Sequence, residues 1–169
     1  MLSEDTETEK KAKEDVCKPL PYYRMISFKL LTKTARLPEY STAGASACDI
    51  RADLDSPMVI PAGEIRLVPT GLAIEGAPDN VTVLLFARSG LASKHGIALA
   101  NGVGVIDSDY RGEVKAALIN NSKNDYTIMP GERIAQMMFV PIIRPEFSVT
   151  ETLSETERGE GGFGHTGSR

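Results

Sequence analysis

The sequence predicts an all-β domain, a sandwich or barrel of short strands with one short helix. Short β-rich runs follow one another from Met25 to Val149, and clusters of Gly, Pro, Asn and Asp punctuate them. A single segment has the cap and closing glycine of a helical turn. The chain of 169 residues suits one domain, or one domain plus a tail.

Taken in order, Met25 to Leu30 opens the series with partial alternation of apolar and polar residues. Cys48 to Arg51, Met58 to Ile60 and Ile65 to Val68 follow, the last two separated by the turn residues Pro61-Ala62-Gly63-Glu64. Pro78-Asp79-Asn80 precedes the apolar run Val81 to Phe86. Ser89 to Lys94 is the helical turn, with serine as its expected cap and Gly96 beyond its end. Glu113 to Ile119, Tyr126 to Met129, Ile134 to Val140 and Phe147 to Val149 complete the strands. Asn101-Gly102, Asn120-Asn121-Ser122 and Pro130-Gly131-Glu132 mark the turns among them, and no repeat of fixed period occurs.

The ends differ in composition from the middle. Residues 1–22 read as a charged, disordered leader, with six acids and four lysines between Met1 and Lys18. Residues 23–157 form the β domain. Residues 158–169 hold five glycines and one large apolar side chain, Phe163, too little to pack a core, and read as a mobile glycine-rich lid.

Composition narrows the function. With 41% apolar and 25% charged residues the chain is ordinary for a globular protein. Its apolar runs fall far short of the roughly 20 residues needed to cross a bilayer, and no secretory signal is present, so no membrane association is expected. Nineteen Lys and Arg against 23 Asp and Glu give a net charge of −4, which argues against nucleic acid as a partner. Cys17 and Cys48 read as thiols of a reducing, cytoplasmic compartment. With His95 and His165 as the only histidines, a metal, if used, is a hard ion held by oxygen.

Four stretches carry candidate chemistry. In Ala87-Arg88-Ser89-Gly90-Leu91-Ala92 an apolar strand ends in a cation, a hydroxyl and a glycine, which suits an anion; an ordinary capped turn has the same residues. In Val105-Ile106-Asp107-Ser108-Asp109-Tyr110-Arg111-Gly112-Glu113, period-two alternation would put Asp107 and Asp109 on one side. They either activate water or hold a hydrated cation, or they form a hydrated turn with an Arg111 or Glu113 ion pair. Val105-Ile106 upstream would partly desolvate Asp107 and raise its basicity. Gln136 interrupts an apolar run and is either satisfied by backbone or turned toward a ligand. In the tail, bare N–H groups and Arg158 suit phosphate, and Phe163 offers a face for a base, although a frayed terminus has the same composition.

Together and in order, five segments resemble the motifs of the trimeric deoxyuridine triphosphatase family across nearly all of Ile26 to Ser168. They are Ala43-Gly44-Ala45-Ser46-Ala47-Cys48-Asp49-Ile50, Ala87 to Ala92, Asn101 to Glu113, Gly131-Glu132-Arg133-Ile134-Ala135-Gln136 and the glycine-rich tail. The resemblance implies a jelly-roll-like, distorted β-barrel subunit in a homotrimer, with sites shared between chains and the tail of one chain closing over a site built from others. It implies Mg²⁺-dependent hydrolysis of dUTP to dUMP and pyrophosphate, which limits uracil in DNA and supplies dUMP for thymidylate synthesis.

By the same resemblance Asp107 activates the water that attacks the α-phosphorus, and Tyr110 lies against the deoxyribose, leaving no room for a 2′-hydroxyl. The Asn101, Gly104 and Val105 hairpin takes uracil. Arg88, Ser89, Gly90 and Gln136 take phosphates, with Arg88 and Gln136 counted as catalytic. Arg158 reaches the terminal phosphate, Phe163 stacks on uracil, and Gly164, His165 and Thr166 close over the substrate. Asp49 acts on the metal through water, or structurally. Ala87 and His165 depart from the family pattern, which has proline and serine there, and His165 would make tail closure mildly pH-dependent. A deoxycytidine triphosphate deaminase and a nucleotide sensor without turnover are the competing readings. The Ile106-Asp107-Ser108-Asp109-Tyr110 run and the Phe163 tail favour phosphate hydrolysis.

Overall fold

The computed structural model describes residues 25–162. The leader expected over 1–22 and the lid residues Phe163, Gly164, His165 and Thr166 lie outside the described residues. Ten strands and one helix follow in order: β1 (Ser27–Leu30), β2 (Cys48–Arg51), β3 (Met58–Ile60), β4 (Ile65–Gly76), β5 (Val81–Ala87), α1 (Ser89–His95), β6 (Ile97–Leu99), β7 (Gly104–Ile106), β8 (Glu113–Asn120), β9 (Tyr126–Ile128) and β10 (Arg133–Pro141).

The strands pair antiparallel throughout, in two four-stranded sheets, β1-β4-β8-β6 and β2-β10-β5-β7, and a small β3-β9 sheet. Both large sheets keep open edges among the described residues. The architecture is therefore two sheets around one core, without a closed barrel. Alternation builds it: along β8, Val114, Ala116, Leu118 and Asn120 point inward while Lys115 faces solvent. Ile60, Val68, Leu72, Val83, Leu118, Ile134 and Met137 are fully buried and fill the space between the sheets. No helix among the described residues is long and apolar enough to cross a membrane.

Four differences from the sequence-based expectation have physical causes. Strand β4 runs on to Gly76 where the pattern suggests an end at Val68, because Pro69 and Gly71 sit at a bulge between Pro69 and Leu72. Gly71 has a φ of 65°, and a Cβ there would run into Asp53 and Ala35, so only glycine fits. β6 and β7, three residues each, flank the Asn101-Gly102 turn without an alternating pattern of their own, and pairing with β8 and β5 makes them strands. Ser89 is the first residue of α1, not its cap; Arg88 holds the cap position with no side-chain cap bond, and Gly96 closes the helix at a φ of 70°.

The fourth difference is Phe147 to Val149, expected as a strand, which pairs with nothing among the described residues. Apolar residues there do alternate: Ile143, Phe147, Val149 and Leu153 all occupy odd positions, as one face of an extended chain would, and are about nine-tenths exposed. The period is that of a strand, but among the described residues no neighbouring strand offers a ladder.

Leu118 lies at the centre of the core, so Leu118→Ala should lower the unfolding free energy by about 2–5 kcal/mol, read as a shift of the urea midpoint at fixed protein concentration. A loss under about 1 kcal/mol would contradict its place in the core.

Candidate functional site

The sequence-predicted residues gather in two places. The first is a cleft of about 410 Å³ lined by Asn101, Gly104, Val105, Asp107 and Tyr110, with Leu85 beneath. Its rim is the hairpin between β6 and β7, where Gly102 N–H donates to the Leu99 carbonyl (3.0 Å) and Val103 N–H to that of Asn101 (2.8 Å). Gly104 pairs with Leu85, and a Cβ on Gly104 would approach the Leu85 Cβ to 3.0 Å. The backbone therefore lies flat on β5 and leaves the cleft open above it. Val105 points outward and is 64% exposed.

After β7 the chain turns. Tyr110 N–H donates to the Asp107 carbonyl (3.1 Å), and the Arg111 guanidinium donates to the carbonyls of Ser108 (2.9 Å) and Tyr110 (3.2 Å). This turn replaces the extended segment in which Asp107 and Asp109 would have shared a face. Of the two ion pairs the turn alternative offered, the Glu113 one forms: its carboxylate meets Lys115 (3.3 Å) and also accepts from Gly71 N–H (3.0 Å), whereas Arg111 is held by backbone carbonyls. Asp107 is exposed in the single chain, so the desolvation expected from Val105-Ile106 is not present there. Its carboxylate accepts no hydrogen bond among the described residues.

The second place is built on Asp49, 4% exposed in the middle of β2. Its two oxygens accept from Arg88 Nε (3.0 Å), Arg133 Nη1 (3.0 Å) and Ser41 Oγ (2.7 Å). Burial pushes this carboxyl up, but the Ser41 hydrogen bond and the Arg88 and Arg133 guanidiniums outweigh that and hold it below the ordinary carboxylate range. Arg88 also donates to the Arg133 carbonyl (3.2 Å). The guanidinium is thus fixed at the end of β5, immediately before Ser89 and Gly90.

Gln136 stands in the same sheet, opposite Phe86 on one side and Asp49 on the other. It is half-buried, and its amide makes no hydrogen bond among the described residues, which favours the ligand-facing alternative. The β9–β10 turn that leads into it is tied by Glu132, which accepts from Tyr126 Oη (2.5 Å) and Met129 N–H (2.9 Å). Burial, then the hydrogen bond and charge of Glu132, push the Tyr126 phenol up to about 12.

The cleft is tied to the middle of β5, with Gly104 opposite Leu85, while Asp107 and Arg88 lie toward opposite ends of that strand. Ile106, just before Asp107, pairs with Val83, whereas Arg88 follows five residues after Val83. At about 3.3 Å per residue that is a separation of about 17 Å. Arg158 reaches neither place; its Nε donates to the Gly161 carbonyl (2.8 Å) within its own turn. Sequence reasoning missed the roles of Arg133 and Ser41 as partners of Asp49, and nothing local in the sequence marks them. It also missed Leu67, Leu85 and Lys115 on the cleft wall, which strand pairing alone brings there.

Among the described residues no three His, Cys, Asp or Glu side chains lie close enough to hold a metal. A hard cation brought in with a polyphosphate fits this donor set, since phosphate oxygens supply most of its ligands. Asp49, with both oxygens taken by cations and a hydroxyl, fits the structural alternative.

A family model described as dUTPase matches residues 33–167. The chain is 53% identical over 135 residues to a protein of Desulfitobacterium hafniense (strain DSM 10664 / DCB-2) named deoxyuridine 5'-triphosphate nucleotidohydrolase, covering 80% of this chain and 89% of that one. A protein of the same name from Sodalis glossinidius (strain morsitans) is 51% identical over 131 residues, covering 78% and 87%. Among solved structures, a Staphylococcus bacteriophage 80alpha dUTPase with dUPNHPP superposes with a TM-score of 0.77 at 30% identity, covering 86% of this chain and 99% of that one. A mutant dUTPase from phage phi11 of S. aureus, which coordinates a structural Mg(II) ion, superposes at 0.70 and 25% identity, covering 78% and 100%.

Replacing Asp49 should expose the electrostatics of the arginine cluster. A carboxyl held below its unfolded value contributes stability above that value, and the contribution is lost as pH falls through the depressed one. Asp49→Asn should therefore cost on the order of 2 kcal/mol near neutral pH, less than a wholly buried pair because both arginines are partly exposed. It should also flatten the acid limb of the stability profile. Parallel acid limbs for the two proteins in urea titrations would contradict the ion-pair account.

Proposed function

The chain belongs to the dUTPase family, and on that premise we propose how its residues hydrolyse dUTP at a site assembled from several copies of the chain. It is a dUTP diphosphatase, a hydrolase that converts dUTP to dUMP. The observation that carries the assembled site is the separation along β5. A general base must stand within one water of the attacked phosphorus, and a phosphate-binding guanidinium must touch the same phosphate. About 17 Å of strand between Asp107 and Arg88 keeps one chain from doing both.

The hairpin cleft of one copy takes the nucleoside. Uracil meets the backbone from Asn101 to Val105, and Tyr110 lies against the deoxyribose. A second copy presents Arg88, Ser89, Gly90 and Gln136 to the phosphates. Arg88 is already oriented by Asp49 and Arg133, so its donors need little reorganisation when charge develops. Asp107 then takes the proton of a water aligned on the α-phosphorus, and pyrophosphate leaves. Its exposure in the single chain ends when nucleotide and second copy cover the cleft.

Mg²⁺, when bound with the nucleotide, neutralises phosphate charge. Arg158 and Phe163 of a further copy close the site, with Gly164, His165 and Thr166, and exclude water. A homotrimer satisfies these requirements with three equivalent sites. The row of exposed apolar side chains at Ile143, Phe147, Val149 and Leu153 supports assembly, since an isolated chain seldom leaves such a row uncovered. The activity limits uracil in DNA and supplies dUMP for thymidylate synthesis.

The test is pyrophosphate release from dUTP, with dTTP, dCTP and UTP in parallel and with Mg²⁺ or chelator. Asp107→Asn should lower turnover by at least about 10²-fold while dUTP still binds. Ammonia as product, or full turnover by the variant, would overturn the assignment.

A further inference from the structure

Gly104 lines the hairpin cleft and Gly112 stands against the ring of Tyr110, another lining residue. Both lie outside the left-handed region, so neither glycine is required there for a positive φ. What they provide is space. Gly104 lets the hairpin lie on Leu85, whereas Gly112 faces the tyrosine two residues before it.

A Cβ on Gly112 would lie 2.5 Å from Tyr110 Cζ and 3.0 Å from Cε2, and closer still to Oη. The ring is thus folded back over the glycine, and its hydroxyl donates to the Glu113 carbonyl at 3.2 Å. Everything around the ring is anchored. Tyr110 N–H is held by the Asp107 carbonyl, Arg111 ties Ser108 to Tyr110, and the Glu113 side chain is held by Gly71 and Lys115. A methyl group at position 112 must therefore move the ring, the one part free to swing about its side-chain torsions.

We infer that Gly112 is a positioning residue for sugar discrimination: it leaves the space in which the Tyr110 ring rests, and so sets where that ring meets the substrate's sugar. The inference rests on the proposed placement of Tyr110 against the deoxyribose. The ring excludes a 2′-hydroxyl only while it is close to C2′, and the seat over Gly112 holds it at a constant depth in the cleft. With the seat filled, the ring is displaced as a unit and the steric test on C2′ is lost. The fold loses little, because the overlap is with the far end of a rotatable side chain.

The experiment is a double-mutant cycle on the full chain with wild type, Gly112→Ala, Tyr110→Ala and the double variant. For each, kcat/KM is measured with dUTP and with UTP, alongside thermal midpoint and assembly size. Gly112→Ala should keep size and midpoint yet lower the preference for dUTP over UTP by on the order of 10-fold or more. In the Tyr110→Ala background the same substitution should change the preference by less than about two-fold, because the clashing ring is gone. If Gly112→Ala alone fails to fold while the double variant folds, the ring clash is supported as well.

The inference is overturned if Gly112→Ala leaves the preference unchanged while Tyr110→Ala lowers it. It is also overturned if the Gly112 effect is the same in both backgrounds, or if both glycine variants misfold. Should Tyr110→Ala itself leave the preference unchanged, the sugar-reading role of Tyr110 fails first, and that result is distinct from the others.

Discussion

Strand β5 sets the distance on which the functional account depends. Its seven residues pair with β10 on one side and β7 on the other, so Ile106 and the Asp107 that follows it are held toward one end and Arg88 at the other. A strand cannot be shortened by flexing, since each residue adds its rise and both flanks are locked in ladders. The chain therefore carries two complementary halves that are rigid and apart. Their proposed action on one phosphate calls for a second copy, and the exposed apolar row of residues 143–153 would give such a copy something to bury.

Within each half, orientation comes from groups that do not react. Asp49 is a buried anion whose work is to hold Arg88 and Arg133, and its cost of burial is offset by three donors. Arg88 is thereby fixed in one orientation at the end of β5. The 107–111 turn does the same for Asp107 and Tyr110 through backbone carbonyls and the Arg111 guanidinium. Asp107 itself stays exposed and without a protein partner among the described residues, which suits the base role proposed for it.

Much of this is legible in the sequence, for reasons that differ by element. Cys48 to Arg51 and Met58 to Ile60 match the observed strands because composition and flanking turns agree. The second half of β4 is hidden because Pro69 and Gly71 terminate a strand in most settings, and only the partner β8 with Glu113 makes them a bulge. Asp107 and Tyr110 stand out as residues, but alternation makes the turn that joins them look extended. Arg133 is in view without a role, because its partner lies 84 positions away. Residues 147–149 have the alternation of a strand and no partner among the described residues, which local sequence cannot reveal.

The most direct measurement is complementation between two inactive variants, Arg88→Ala and Asp107→Asn, each refolded alone and then refolded together. If every site takes its arginine cluster from one copy and its cleft from another, random mixing gives one site in four with both halves intact. Activity should then return to about a quarter of wild type. If each chain holds a whole site, every site in the mixture is defective, and activity no higher than that of the separate variants would contradict the account.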